Sequence, residues 1–200
     1  MARTLLSLLI LGSLVNGGFA ANPPAVAFSE PQTGISFPGH LGPLRYLGVR
    51  HYENPALGIC IRYGEEGLIK ADIFIYDLGK KNLGTGLQSP ALATHFDQVK
   101  GDLSTLEKMG RYQSLDRVSE QKIIIETPRG GIPALSAIFT YSQTAGPGTA
   151  FTGQRVSHLV LTAYRESFLK IRFTYPQDQK ERGAMAFKQF IDGLGRHLHE

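Results

Sequence analysis

Residues 156–198 leave little choice of architecture. Leu159, Leu161 and Ala163 alternate with Val160 and Tyr164, and Arg165-Glu166-Ser167 forms a polar break. Leu169, Ile171, Phe173 and Tyr175 then alternate with Phe168, Lys170, Arg172 and Thr174. A period of two marks strands, and two such runs around a short polar turn make a hairpin. Apolar residues on both sides of each run place that hairpin at the centre of a sheet. Past Pro176 the period becomes helical: Ala184, Phe187, Ile191, Leu194 and Leu198 form one stripe, with Met185 and Phe190 at its margins. Asp178 and Glu181 have the spacing of a capping-box variant, and Arg196, His197 and His199 suit the negative end of the helix dipole. This helix folds back over one face of the sheet.

The remaining chain supplies more strands and one more helix. Period-two patterns predict strands over residues 44–52, 57–63, 68–77 and 134–142, and a strand pair or one long strand over 112–126. Glu53-Asn54-Pro55, residues 64–67 and residues 128–131 carry turn chemistry. Leu92, Phe96, Val99, Leu103 and Leu106 make a single helical stripe. Ser89 is its expected cap, Pro90 its first residue and Gly110 its left-handed end. Residues 143–154, rich in Gly, Thr and Pro, are expected to be a mobile surface loop.

The N-terminus has a different character. Arg3, an apolar run over residues 5–15 and small residues at Gly18 and Ala20 make residues 1–20 a secretory signal peptide. That run is too short to span a membrane, and no stable membrane insertion is expected. Residues 21–43 hold five prolines, which excludes them from the centre of a sheet. Residues 21–34 are therefore expected to be an exposed arm, with residues 35–200 forming one domain and Ile35-Ser36-Phe37 a short edge strand. About 180 residues can bury an adequate core without a staple. This agrees with a single cysteine, Cys60, which sits between Ile59 and Ile61 as a core thiol would. The net charge of +4 becomes +3 without Arg3, and Lys and Arg are interspersed with acids. Such a distribution predicts no nucleic-acid binding.

Strands, helix, strands, helix, joined by short turns, define an α+β fold. An antiparallel sheet is flanked by two amphipathic helices, either as an α/β/α sandwich or with both helices on one face. This element order carries a resemblance to a known group. Residues 52–58 lead into Ile59-Cys60-Ile61-Arg62-Tyr63; Ile73-Phe74-Ile75-Tyr76-Asp77 follows, then the helix after Ser89 and the hairpin containing Phe168-Leu169-Lys170-Ile171-Arg172. Over residues 35–198 the pattern resembles the PsbP-like superfamily, and especially the periplasmic DcrB-like proteins of bacteria. The resemblance implies an antiparallel sheet between helices and a non-catalytic assembly, scaffold or binding role. It transfers no functional residue.

The residues themselves offer little chemistry. Residues 21–200 contain no Gly-x-Ser-x-Gly, and the histidines at 40, 51, 95, 158, 197 and 199 lack the spacing of a zinc site. Neither metal nor cofactor is expected. The glycine-rich segment 79–86 resembles a phosphate cradle in composition, but it lacks the Gly-Lys-Ser/Thr that opens a helix in a P-loop. Lys80 and Lys81 remain its candidate anion or partner contacts. Arg62, Lys70, Lys170 and Arg172 interrupt apolar strands; if those strands are neighbours, they form a basic stripe with Tyr63, Tyr76 and Tyr175 near its rim. The alternative is that their stems cover apolar surface while their charges reach water. The expected function is that of an exported, periplasmic or extracellular, non-catalytic protein that binds an envelope protein or a small ligand. A hydrolase using Cys60 or a histidine such as His51 is one alternative; a binder of anionic polymer or lipid headgroups is the other.

Overall fold

The computed structural model describes residues 26–65, 68–144 and 152–198. The expected signal peptide, residues 66 and 67, most of the loop expected over 143–154 and His199 lie outside the described residues. Ten strands and two α-helices are described: β1 (Val26–Ser29), β2 (Ser36–Pro38), β3 (His40–Leu41), β4 (Leu44–His51), β5 (Ile59–Glu65), β6 (Ile69–Tyr76), α1 (Leu92–Lys108), β7 (Tyr112–Thr127), β8 (Gly130–Gln143), β9 (Gly153–Tyr164), β10 (Ser167–Pro176) and α2 (Lys180–Gly195). β1 and β2 pair with each other. The other eight strands form one antiparallel sheet in the order β3-β4-β5-β6-β10-β9-β8-β7. Two four-stranded meanders thus meet at β6 and β10, and the predicted hairpin β9–β10 occupies the middle of the sheet.

Register divides the core in two. Ile59, Ile61 and Tyr63 of β5, Ile69, Ala71, Ile73 and Ile75 of β6, and Leu169, Ile171 and Phe173 of β10 share one cluster with Phe190, Ile191 and Leu194 of α2. Leu159 and Leu161 of β9, Ala137, Phe139 and Tyr141 of β8, and Phe168 join Leu92, Phe96, Val99 and Leu103 of α1 in the other. The helices therefore lie on opposite faces. On the α2 face, Ile35, Phe37, Leu41 and Leu44 extend the cover across the first meander.

Local chemistry explains several departures from expectation. Leu57 is exposed in a 3-10 turn rather than in a strand, because Asn54 caps that turn, Pro55 opens it and Gly58 closes it at φ 57°. Ser89 does not cap α1: it closes a 3-10 turn over Gly86–Gln88, Ala91 is the N-cap and the buried Ser89 Oγ has no partner among the described residues. Gly110 does end α1, at φ 72°. The Gly110 N–H donates to Glu107 and the Arg111 N–H to Leu106, a Schellman closure. The Asp178–Glu181 box does not form, because Gln177–Gln179 is itself a 3-10 turn and Gln179 is the N-cap. Arg196 is the C-cap of α2, so His197 follows the helix rather than ending it.

The buried stripe of α2 is rotated from the expected one. Gly183, Ala186, Phe190, Ile191 and Leu194 face the sheet, whereas Ala184 and Met185 are exposed. Phe190 packs edge-on against Tyr63, and Gly183 lets the helix press on Tyr175, where an added Cβ would lie 2.2 Å from the ring. The arm is likewise not simply exposed. The Glu30 carboxylate accepts from the Gln32 and Thr33 N–H groups and the Thr33 hydroxyl, burying Glu30 and Thr33 and turning the chain so that Ile35 and Phe37 enter the core.

His158 lies in the α2-side core, with Nε2 3.0 Å from the Tyr175 hydroxyl and its ring 4.0 Å from that of Phe187. Burial pushes its pKa down to about 4.

Two outcomes follow from this packing. Gly183→Ala gains helix propensity but must displace the Tyr175 ring, so equilibrium urea unfolding is expected to show a net loss of about 1–3 kcal/mol. Between about pH 6.5 and 4 the unfolded chain protonates His158 while the native protein does not. Stability from this residue is therefore present above pH 6.5 and lost as the pH falls toward 4, by up to about 3 kcal/mol. His158→Gln, compared with the parent by denaturant midpoints across that range, should remove this part of the acid sensitivity.

Candidate basic face and the glycine-rich loop

After β6 the chain crosses to the far edge of the sheet through α1. The helix packs on β7 and β9, so it covers the half of its face formed by the second meander. On the same face, β4, β5 and β6 present Arg50, Cys60, Arg62, Lys70, Asp72 and Phe74 in place of a continuous apolar surface. The composition changes where the helix stops.

Pairing brings the four strand cations together. Arg62 is opposite Asp72, and Asp72 is opposite Arg172; Cys60, Phe74 and Lys170 make the adjacent row. Lys70 forms a 2.9 Å ion pair with Asp72 and lies opposite Thr174. Arg62 and Lys70 are exposed, whereas Lys170 and Arg172 are half-buried. The Lys170 Nζ stands 4.2 Å from the Phe74 ring centroid and 5.3 Å from that of Tyr76. Burial pushes its pKa down, with Asp102 of α1 acting in the opposite sense. Arg172 Nη2 donates to the Tyr112 hydroxyl at 2.7 Å and the Tyr141 hydroxyl at 3.3 Å, and its Nε to Ser157 Oγ at 3.4 Å. Among the described residues, neither Lys170 nor Arg172 has a carboxylate within ion-pair distance.

Tyr76 belongs to this face; Tyr63 and Tyr175 do not. Both point into the α2-side core, where Tyr63 donates to the Pro38 carbonyl at 2.7 Å and Tyr175 meets His158. They alternate with Arg62 and Thr174 along their strands, so a period of two sends them to the opposite side. Tyr112 and Tyr141 take their place beside the cations. Tyr112 comes from the far edge strand, which no local spacing connects to Arg172. The Tyr76 hydroxyl instead meets His95 Nε2 at 2.7 Å, while His95 Nδ1 contacts Gln98 Oε1 at 3.1 Å. Burial lowers the pKa of His95, more than the Gln98 hydrogen bond raises it.

The glycine-rich loop already holds an anion from its own chain. Glu166, in the β9–β10 turn, accepts from the Leu83 N–H at 3.0 Å and the Gly84 N–H at 3.3 Å. The cradle-like composition thus serves an internal carboxylate. Lys80 and Lys81 are exposed on this loop and do not complete the row of strand cations.

The structure does not bring Cys60 and His51 together. Cys60 is buried, and burial, with Asp72 nearby, pushes its thiol up to about 12. Arg50 is its partner across β4; His51 is opposite Ile59, on the other face. Glu65, the last residue of β5, is paired with Arg182. Among the described residues, no group of three or more His, Cys, Asp or Glu side chains is placed to hold a metal, and no helix is long and apolar enough to cross a membrane. An open depression of about 440 Å³, bordered by Gly42, Pro43, Gln189, Asp192 and Arg196, lies beside α2 and away from the strand cations.

These elements define a PsbP-like α+β fold, an antiparallel sheet with two helices. The solution structure of cyanobacterial PsbP (CyanoP) from Synechocystis sp. PCC 6803 matches it with a TM-score of 0.51 and 12% identity, covering 91% of this chain and 98% of that one. The Ran-binding protein Mog1p of Saccharomyces cerevisiae aligns over 82% of this chain and 88% of its own at 13% identity; its TM-score of 0.37 is too low to bear on the fold. No protein-family model and no curated protein matches the chain.

Glu166→Gln removes the charge that strengthens the two loop contacts. The expected result is a loss of about 1 kcal/mol, with faster amide hydrogen exchange at Leu83 and Gly84 than in the parent and unchanged exchange in β6.

Proposed function

We propose that this chain is an exported, non-catalytic binding or assembly protein of the cell envelope, and that it engages a partner with acidic surface groups through the uncovered half of its sheet. The observation that carries this reading is the convergence of Arg62, Lys70, Lys170 and Arg172 around the single intervening carboxylate of Asp72. Solvation of long stems accounts for exposed Arg62 and Lys70. It does not account for Lys170 and Arg172, which are half-buried with no ion pair among the described residues. The PsbP-like fold supports a binding role by analogy, and the DcrB-like pattern of residues 59–77 and 157–175 supports the envelope as its setting. Within this reading the two helices complete an α/β/α sandwich, and residues 1–20 direct export.

A specific test is affinity capture from envelope extracts with the parent chain and Arg62→Glu/Lys70→Glu, each at about 50 and 300 mM salt, on either side of physiological screening. Partners held by this face are expected to be retained by the parent at low salt, weakened at high salt and lost by the double variant. Equal recovery by both chains at low salt would overturn the assignment. Vesicles with and without phosphatidylglycerol, run in parallel, test the headgroup alternative. Salt-sensitive retention on the anionic vesicles alone would assign the face to lipid rather than protein.

A further inference from the structure

We infer that Lys170 and Arg172 form an oxyanion subsite for a phosphate or carboxylate group joined to a flat or apolar body, with Phe74 as the floor for that body. This inference rests on the binding role proposed for the basic face and specifies its inner part.

The two cations are two residues apart on β10 and therefore project from the same face, separated by roughly 7 Å of strand. Arg172 is held in place before any ligand arrives. The Tyr112 and Tyr141 hydroxyls take Nη2 and Ser157 takes Nε, while Nη1 has no acceptor among the described residues. Ser157 is itself 2.9 Å from the Thr174 hydroxyl, so this side of the subsite also carries hydroxyl groups. Lys170 has no hydrogen-bond acceptor among the described residues; its Nζ lies against the Phe74 and Tyr76 rings, and Asp102 of α1 attracts it from beyond ion-pair distance. A half-buried ammonium and a partly unsatisfied guanidinium suit an oxyanion, because each gains a charge-assisted hydrogen bond that water supplies less well there.

The surroundings indicate more than a bare ion. Phe74 is directly opposite Lys170 and only partly buried, and Cys60 continues the row toward the open edge. A planar or apolar group attached to the anion would cover the part of this ring left open. The outer cations Arg62 and Lys70 lie along the next rows, and Lys70 is already engaged by Asp72. They can attract an acidic partner without closing on the inner oxyanion.

Phenyl phosphate, inorganic phosphate and dihexanoyl phosphatidylglycerol below its micelle concentration are suitable probes, titrated into the full chain by calorimetry and amide NMR. Phenyl phosphate is expected to bind about three to ten times more tightly than inorganic phosphate, as one ring contact allows. Its shifts should centre on residues 72–74 and 170–172. Lys170→Met should weaken phenyl phosphate by about tenfold or more, the effect of one lost charge-assisted bond, with an unfolding midpoint no lower than the parent's. Arg172→Lys, which keeps charge but loses the fork, provides a second variant that should also bind more weakly. Tighter binding of the lipid than of phenyl phosphate identifies a headgroup ligand; weaker binding identifies a soluble organic anion.

Undiminished binding by Lys170→Met, or shifts scattered over the exposed lysines, would overturn the subsite. If Arg62→Glu/Lys70→Glu still abolishes partner capture in that case, the broader face assignment stands. If phenyl phosphate binds through Lys170 while capture is unaffected by the outer pair, the subsite stands and the broader assignment fails.

Discussion

The turn between β9 and β10 holds together parts of the molecule that its sheet alone would not. Arg165 and Glu166 both have left-handed backbone, at φ 45° and 60°, as the tight two-residue hairpin requires. Neither residue type favours that conformation, which costs roughly 1–2 kcal/mol per non-glycine residue. Their side chains offset that cost in two directions. Arg165 donates to the Thr33 carbonyl in the N-terminal segment, and Glu166 accepts from the backbone of the loop after β6. One turn at the middle of the sheet thus anchors the segment that leads into the α2-side core and the loop that leads into α1.

That anchoring determines which surfaces are covered. Eight strands spaced about 4.8 Å apart make a sheet roughly 35 Å wide, whereas a helix with its side chains is about 10 Å across. A single helix cannot cover either face. On the α2 side, Ile35, Phe37, Leu41 and Leu44 supply the missing cover, and the strands beneath are apolar across both meanders. On the α1 side the loop after β6 contributes Leu83, but beyond Phe168 and Tyr76 the strands carry charge. The asymmetry between Ile59-Ile61-Tyr63 and Cys60-Arg62 along one strand reflects these two different coverings.

The same physics separates what is legible in the chain from what is not. Period two locates the central hairpin, because Leu169 and Ile171 must face one core while Phe168 faces the other. The helical stripe of α1 is legible for the same reason, and Gly110 marks its end by a backbone need. The start of each helix is not, because short 3-10 turns precede both helices: Asp178 lies inside one, and Ser89 closes the other. The contribution of residues 30–44 depends on Glu30 closing a turn and on Arg165 holding it from 132 residues away along the chain. The strand cations are visible singly, and their grouping requires the β6–β10 pairing. Strand parity alone removes Tyr63 and Tyr175 from their surroundings, whereas Tyr112 reaches Arg172 by a contact that crosses much of the sheet and leaves no local signal.

The two kinds of cation on the open face differ in physical meaning. Arg62 and Lys70 keep their charges in water, and Lys70 has Asp72 beside it, so neither requires a ligand to explain its presence. Lys170 and Arg172 lose part of their hydration with no carboxylate within ion-pair distance among the described residues, Asp102 acting on Lys170 only from farther away. Ring faces and neutral hydroxyls replace only part of that loss, since cation–π contacts contribute about 0.5–2 kcal/mol while burying a charge costs several. A leucine at position 170 would pack against Phe74, and one at position 172 against Tyr112 and Tyr141, without that penalty. The hydroxyls of Tyr112, Tyr141 and Ser157 orient Arg172 at the boundary where α1 ceases to cover the sheet, and this orientation supports the binding role proposed for the face.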